Sequence, residues 1–470
     1  MRQPNIIYIF ADQMRAHALG CYGNTNVPTP NFDDMAQSGM VFDNAISTWS
    51  VCSPHRGMLL TGLHPMNNGV VSNDVGHKDG LSSIATACNE QGYQTGYLGK
   101  WHLEWNREPF VPKDRRLGFD YWAANNCTHQ YLDHFYCMDT PEPIHFKGYD
   151  AEVQTELAID YIKTHQEKPF CLFLSWGPPH DPYLKVPEKY KSRIDPDKIE
   201  LRPNVSERAV VDGLLSMSEP SEELAKRRKA RRDRLEDDHR LKHEELHGYY
   251  AHTSALDDYI GEIRSAIKEA GLADNTILVF SSDHGDMLGS HRMALKQNPH
   301  EESIRIPFIV EYPDVVPKGE RTQALISPID VMPTLLSLAG LDCPKVDGKD
   351  IAPAARGEAH DQQDAVLITK MTGSSKGDQG GGPYVINNML PWRGVRTKRY
   401  TYARLVDHGP WLLYDNQEDP FQLKNLINDP EYSGLQASLE KRTQELMDEA
   451  GDPGNTDEIH AYIESRRPSA

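Results

Sequence analysis

An α/β fold is predicted, with a large, mostly parallel sheet flanked by helices and a smaller C-terminal α+β subdomain containing an antiparallel sheet. Three observations predict it. Asn5 to Phe10, Phe170 to Ser175 and Thr276 to Phe280 are short, nearly continuous apolar runs, the pattern of parallel strands buried on both faces. Helical patterns separate them, one opened by Thr29-Pro30-Asn31 and another running from about Glu222 to Leu272. Beyond these, Trp392 to Arg396 and Tyr400 to Arg404 alternate as antiparallel strands do.

Composition bounds what such a fold can do. The chain has 470 residues, a formal net charge of -19 and 38% hydrophobic residues, an acidic globular balance that repels nucleic acid and anionic membrane surfaces. An anionic substrate would therefore need a local positive pocket, for which Arg56, Lys100 and Lys296 are candidates. No apolar run is long enough to span a bilayer. Met1-Arg2-Gln3-Pro4 leads directly into the first strand, so the chain as written is expected to be cytoplasmic, or periplasmic or secreted if a leader has been removed. The 7 cysteines are scattered and are expected to be mostly reduced thiols. Asn126-Cys127-Thr128 and Asn204-Val205-Ser206 match the glycosylation pattern, which often arises by chance.

In chain order, the first strand ends at Ala11-Asp12-Gln13, where an open α/β sheet gathers its ligands. Thr29 is the expected cap of the next helix, with Pro30 at its first position and Gly39 as its stop. Cys52-Ser53-Pro54-His55-Arg56 looks like a helix start, whose free N–H groups and dipole favour an anion. Arg56 lies about one turn from Cys52 and offers a planar fork of donors for an oxygen pair. Gly96 to His102 pairs a strand end with the cation Lys100 and the imidazole His102. Phe110 to Asp150 is aromatic and irregular, a cleft lining or a surface loop. The strand ending at Ser175 runs into Trp176-Gly177-Pro178-Pro179-His180. The mixed charges from Lys226 to His247 suit a solvated helix face. Thr276 to Phe280 is followed by Ser281-Ser282-Asp283-His284-Gly285-Asp286. Asp12, Gln13, Asp283 and His284 thus sit at two strand ends and suit one divalent ion; oxygen donors favour calcium or magnesium, and the imidazole also suits manganese. The Gly-rich stretch Gly373 to Gly382 marks the expected domain boundary, giving domains 1–372 and 373–470.

Cys52-x-Pro54-x-Arg56, followed by an apolar turn and Thr61-Gly62, resembles the signature of the type I, formylglycine-dependent sulfatases of the alkaline phosphatase superfamily. Asp283-His284-Gly285 through Lys296 to Pro307 is similar to that family's second signature. The resemblance implies an alkaline phosphatase-like fold and a nucleophile, formylglycine, made from Cys52 by a maturation enzyme. It implies Ca2+, with Mg2+ or Mn2+ as alternatives, on Asp12, Gln13, Cys52, Asp283 and His284. Arg56 and Lys100 would offset charge on the sulfate, His102 would take a proton from the formylglycine, and His180 with Lys296 would serve the leaving alcohol. Many sulfatases carry Asn at the His284 position and Asp at the Gln13 position, which leaves the metal open. The expected substrate is a sulfated small molecule or glycan, oriented by polar and aromatic groups such as Asn73, Trp105, His252, His300 and Arg393. A phosphonate monoester or phosphodiester hydrolase of the same superfamily is the alternative, favoured by Gln13 and His284 but not by Lys100 and His102. An inactive member that binds sulfated glycans is a third reading.

Overall fold

The computed structural model describes residues 3–105, 108–205, 239–359, 363–372 and 390–466. Most of the charge-dense segment beginning at Lys226, and the Gly-rich stretch from Gly373, lie outside the described residues.

Ten strands precede the C-terminal sheet: β1 (Asn5–Asp12), β2 (Met40–Ala45), β3 (Gln94–Lys100), β4 (Tyr121–Asn125), β5 (Phe135–Tyr136), β6 (Ile144–His145), β7 (Phe170–Pro179), β8 (Thr276–Ser282), β9 (Phe308–Glu311) and β10 (Glu320–Ile326). Eight of them form one sheet in the order β10-β2-β9-β8-β1-β7-β3-β4, while β5 and β6 make a separate hairpin. Only β9 runs antiparallel, against β2 and β8. β1, the central strand, is buried along its whole length, as its unbroken apolar run requires. Its register brings Ala11 level with Ser282 of β8 and with Trp176 of β7. Asp12, Asp283 and the chain leaving β7 therefore emerge side by side at the carboxyl edge of the sheet.

The helix Pro30–Ser38 ends at Gly39 as expected, but Thr29 does not cap it with its side chain. Thr29 Oγ1 instead accepts from Gly20 N at 2.8 Å, and the first helical N–H groups of Asn31 and Phe32 are taken by the Asp257 carboxylate of the long helix His239–Glu269. A tertiary acceptor has replaced the local one. The helix Cys52–Thr61 is buried at every position and closes on Gly62 at φ 66, a left-handed cap natural to glycine.

The C-terminal sheet is antiparallel, in the order β11 (Ala365–Lys370), β12 (Trp392–Thr397), β13 (Tyr400–Leu405) and β14 (Gly409–Asp415). Its first strand precedes Gly373, so the Gly-rich stretch falls between two paired strands of this sheet and not ahead of it. Arg393, expected to orient a sugar, is fully buried on β12 and forms a two-point ion pair with the equally buried Asp452. Breaking such a pair leaves a buried charge without its partner. Asp452→Ala is therefore expected to destabilise the fold by about 3–5 kcal/mol while leaving turnover per folded molecule unchanged, as read by urea denaturation beside an activity assay.

All seven cysteines are free. Asn126 and Asn204 are both 0% exposed, which excludes glycosylation of either sequon in the folded chain. No helix among the described residues is long and apolar enough to cross a membrane.

Candidate active site

The site grows from the strand ends. Asp12 closes β1, Asp283 follows β8 and Lys100 closes β3, while Cys52 and Arg56 face the same gap one turn apart on their helix. Close packing makes the approach possible: a Cβ on Gly99 (φ 92), beside Lys100, would stand 2.0 Å from the Ser175 carbonyl oxygen of β7. Gln13 (φ 71), His102 (φ 58), Leu295 (φ 61) and Gln297 (φ 71) all hold left-handed backbone although none is glycine. At about 1–3 kcal/mol each, such strain persists only where the surroundings over-determine it, and here it flanks the site.

The two carboxylates divide their oxygens between two tasks. Asp12 Oδ2 accepts from Lys100 Nζ at 2.5 Å and from Arg56 Nη2 at 3.2 Å, while Asp283 Oδ2 accepts from Arg56 Nε and Nη2 at 3.2 and 3.0 Å. The Oδ1 atoms face elsewhere. Both lie 3.6 Å from His284 Nε2, and Asp12 Oδ1 is 3.7 Å from Cys52 Sγ. Burial disfavours the Asp12 charge, but Lys100, His180 and Arg56 more than offset this and hold its carboxyl well below the usual range. Burial and Asp12 likewise oppose ionisation of Asp283, yet His284, Arg56 and His55 keep its carboxyl below the ordinary value. Burial, aided by Lys296, lowers the proton affinity of His284. Its Nδ1 donates to the Gly285 carbonyl at 3.0 Å, which leaves the Nε2 lone pair free, 3.3 Å from Cys52 Sγ.

This donor set fits a divalent cation. Asp12, Cys52, Asp283 and His284 offer ligand atoms that all lie within 4.8 Å of one another, and all four residues are buried. Two like charges face one point there, beside a neutral imidazole whose orientation is fixed by a hydrogen bond to a backbone carbonyl, as metal-ligating histidines usually are. Gln13 takes another place: its Oε1 accepts from Lys296, and its Nε2 donates to Asp286 Oδ2 at 2.6 Å and Tyr183 Oη at 3.1 Å.

Arg56 corrects an expectation. All five of its N–H groups are committed, to Asp12, Asp283, the Lys100 carbonyl (2.5 Å) and Ser175 Oγ (2.7 Å), so no donor is left for a substrate oxygen. It holds the carboxylates in place. Lys100, by contrast, reaches to 3.8 Å from Cys52 Sγ, and its bond to Asp12 keeps it charged in spite of burial. His102 is 5% exposed, and burial together with Lys100 and Arg56 holds its ring neutral.

His180 lies beyond β7 with Nδ1 donating to the Asp181 carbonyl at 2.7 Å and Nε2 only 2.7 Å from Lys296 Nζ. Burial and Lys296 oppose a charged ring, but Asp12 and Asp181 prevail and push the His180 pKa up to about 9.

Of the residues expected to orient a sugar, Asn73 accepts from Ser53 N at 3.0 Å and so caps the Cys52 helix. His252 is fully buried and bonded to Tyr149 Oη at 2.5 Å, and His300 is 3% exposed; neither is open to a substrate. Trp105 is 47% exposed and remains available. Sequence reasoning missed Ser175, His55 and Asp286. Asp286 stands directly after the Asp283-His284-Gly285 run, which was signal enough; Ser175 and His55 join only through the fold, His55 by way of Ser47 Oγ (2.9 Å), which donates to the Asp283 carbonyl (2.5 Å).

An α/β enzyme that handles an anionic ester at the carboxyl ends of its strands is the class that fold and site define. Residues 4–341 match the family described as Sulfatase, and residues 289–449 match N-sulphoglucosamine sulphohydrolase, C-terminal. The chain belongs to the sulfatase family and is a sulfuric ester hydrolase. It is 36% identical over 458 residues to an ulvan-active sulfatase of Formosa agariphila, covering 96% of this chain and 82% of that one. It is 29% identical over 517 residues to an endo-4-O-sulfatase of Bacteroides thetaiotaomicron, covering 97% and 94%. A solved structure described under the metabolism of multiple glycosaminoglycans by Bacteroides thetaiotaomicron shares 28% identity and a TM-score of 0.80, with 100% of both chains covered.

Proposed function

We propose that this chain hydrolyses a sulfate ester of a carbohydrate, using formylglycine made from Cys52 and a divalent ion held by Asp12, Asp283, His284 and the side chain at position 52. The observation that carries this reading is the convergence of Cys52 Sγ with His284 Nε2 at 3.3 Å and Lys100 Nζ at 3.8 Å, at a helix start beside two buried carboxylates. The names of the related sulfatases, acting on ulvan or glycosaminoglycans, support a sulfated glycan as substrate.

Formylglycine would supply a hydrated aldehyde as nucleophile, and the ion would supply positive charge for the sulfuryl oxygens. The chain's own groups do the rest. Arg56 holds the two carboxylates with their Oδ1 atoms turned toward His284 Nε2, where they would be free to hold a divalent ion. Lys100 offsets charge on the sulfuryl group. The His180 ring, beside Lys296, would give its proton to the departing alcohol oxygen, the general-acid role. His102, neutral, would accept a proton from the modified side chain at position 52 so that sulfate could leave. Because Cys52 is 1% exposed, the maturation enzyme has to reach it before the chain closes.

The mass of the proteolytic peptide containing Cys52 tests the first step: formylglycine is expected, and unmodified cysteine in active protein would refute the mechanism. Relative rates on an aryl sulfate and an aryl phosphonate separate the phosphonate hydrolase alternative. The charged Lys100 favours faster sulfate release.

The acid role makes a pH prediction. His180 has its pKa raised from 6.5 to about 9, so the protonated form prevails below about 9 and is lost above it. Turnover of esters with poor leaving groups is expected to fall as pH rises through about 9, and the ring's contribution to stability, complete below 6.5, is lost over the same interval. His180→Ala is expected to slow alkyl esters by about 10²–10⁴-fold and activated aryl esters much less. Equal losses on both would remove the acid role.

A further inference from the structure

We propose that His129 is a specificity-determining contact for the alcohol half of the ester, its Nδ1–H donating to an oxygen of the leaving group. The inference rests on the sulfatase reading and extends it to a residue outside both signatures. His129 lies on the loop after β4, the neighbour of β3, and its ring stacks on His180 with centroids 4.3 Å apart and planes at 17°. Its Nε2 is 3.4 Å from Lys100 Nζ.

An ammonium has three donors and no acceptor. Lys100 directs its three at Asp12 Oδ2 (2.5 Å), Cys52 Sγ (3.8 Å) and His129 Nε2, so Nε2 must be the acceptor and the proton of the neutral ring sits on Nδ1. No acceptor among the described residues meets that Nδ1–H. Unlike His102, His180 and His284, which are buried, His129 is exposed. A hydrogen-bond donor of fixed tautomer thus sits without a protein acceptor on an exposed residue, its ring flat against the group that protonates the departing oxygen and bonded to the cation that faces the nucleophile. The partner it suits is an ester whose alcohol carries a second oxygen beside the sulfated carbon, as a sugar does and a simple aryl sulfate does not.

His129→Phe separates the donor from the stack, because phenyl keeps a flat ring and has no N–H. The substrates are 4-nitrophenyl sulfate and whichever of the monosulfates of glucosamine, galactose and rhamnose the unaltered enzyme processes best. The expected result is a drop in kcat/KM of about 10–100-fold on the sugar with less than about 3-fold change on the aryl ester. In parallel, affinity for the same sugars is measured by calorimetry in Cys52→Ala protein, where adding His129→Phe is expected to weaken binding by about 10-fold. A selective loss of kcat/KM on the sugar with unchanged calorimetric affinity would make His129 a support for His180 only, equal losses on both esters would tie it to the shared sulfate chemistry, and no loss on either would leave it without a role; each outcome overturns the proposal. If the unaltered enzyme releases sulfate from no ester, the sulfatase reading fails by itself. The calorimetric arm then decides for His129, unchanged affinity counting against it.

Discussion

Alanine at Cys52 is expected to abolish sulfate release, lowering kcat by on the order of 10⁴-fold or more, because the methyl group can neither be oxidised to an aldehyde nor carry a nucleophile. The side chain is small and wholly inside, so the fold should tolerate the change: the far-UV spectrum and Tm are expected to stay close to those of the unaltered chain. A catalytic loss without a folding loss is the result that identifies a nucleophile. Retention of more than about 1% of activity, with sulfate release measured on the best sugar sulfate, would remove Cys52 from that role.

Arg56→Ala is expected to cost both stability and activity. The guanidinium lies at 0% exposure between Asp12 and Asp283, also at 0%, and Phe10 packs under it with 4.9 Å from Cζ to the ring centroid. Removing it leaves two buried carboxylates without the guanidinium they share, a loss of about 3–5 kcal/mol by urea denaturation. Arg56→Lys should recover little, since one ammonium cannot span four acceptors that a planar fork meets at once. Added divalent ion is expected to restore part of the lost stability by taking up the charge at the Oδ1 atoms. A loss below about 1 kcal/mol would mean that the carboxylates are neutral in the folded chain, contrary to the charge balance described above.

Much of this was legible in the chain itself. Apolar runs mark β1, β7 and β8 because strands buried on both faces have no polar positions to offer. Cys52 and Arg56 are one helical turn apart in sequence, so they share a face wherever the helix goes. Asp12 and Lys100 end strands, His180 and Asp283 follow directly on them, and the carboxyl edge of a parallel sheet is where such residues meet.

Tertiary structure decided the assignments that depend on which partner arrives first. Asp257 of a distant helix, and not Thr29, satisfies the opening of the helix Pro30–Ser38. Arg56 looked like a sulfate ligand and became a scaffold, because Lys100, Ser175 and two carboxylates from four different segments took every donor. Arg393 met Asp452 and left the substrate side altogether. His129, undistinguished in its aromatic loop, acquired meaning only when β4 paired with β3 and set its ring against His180. Local sequence determines which residues can reach a strand end or a helix face. Hydrogen-bond capacity is finite, so only the assembled neighbourhood determines which of their donors and acceptors remain for a substrate.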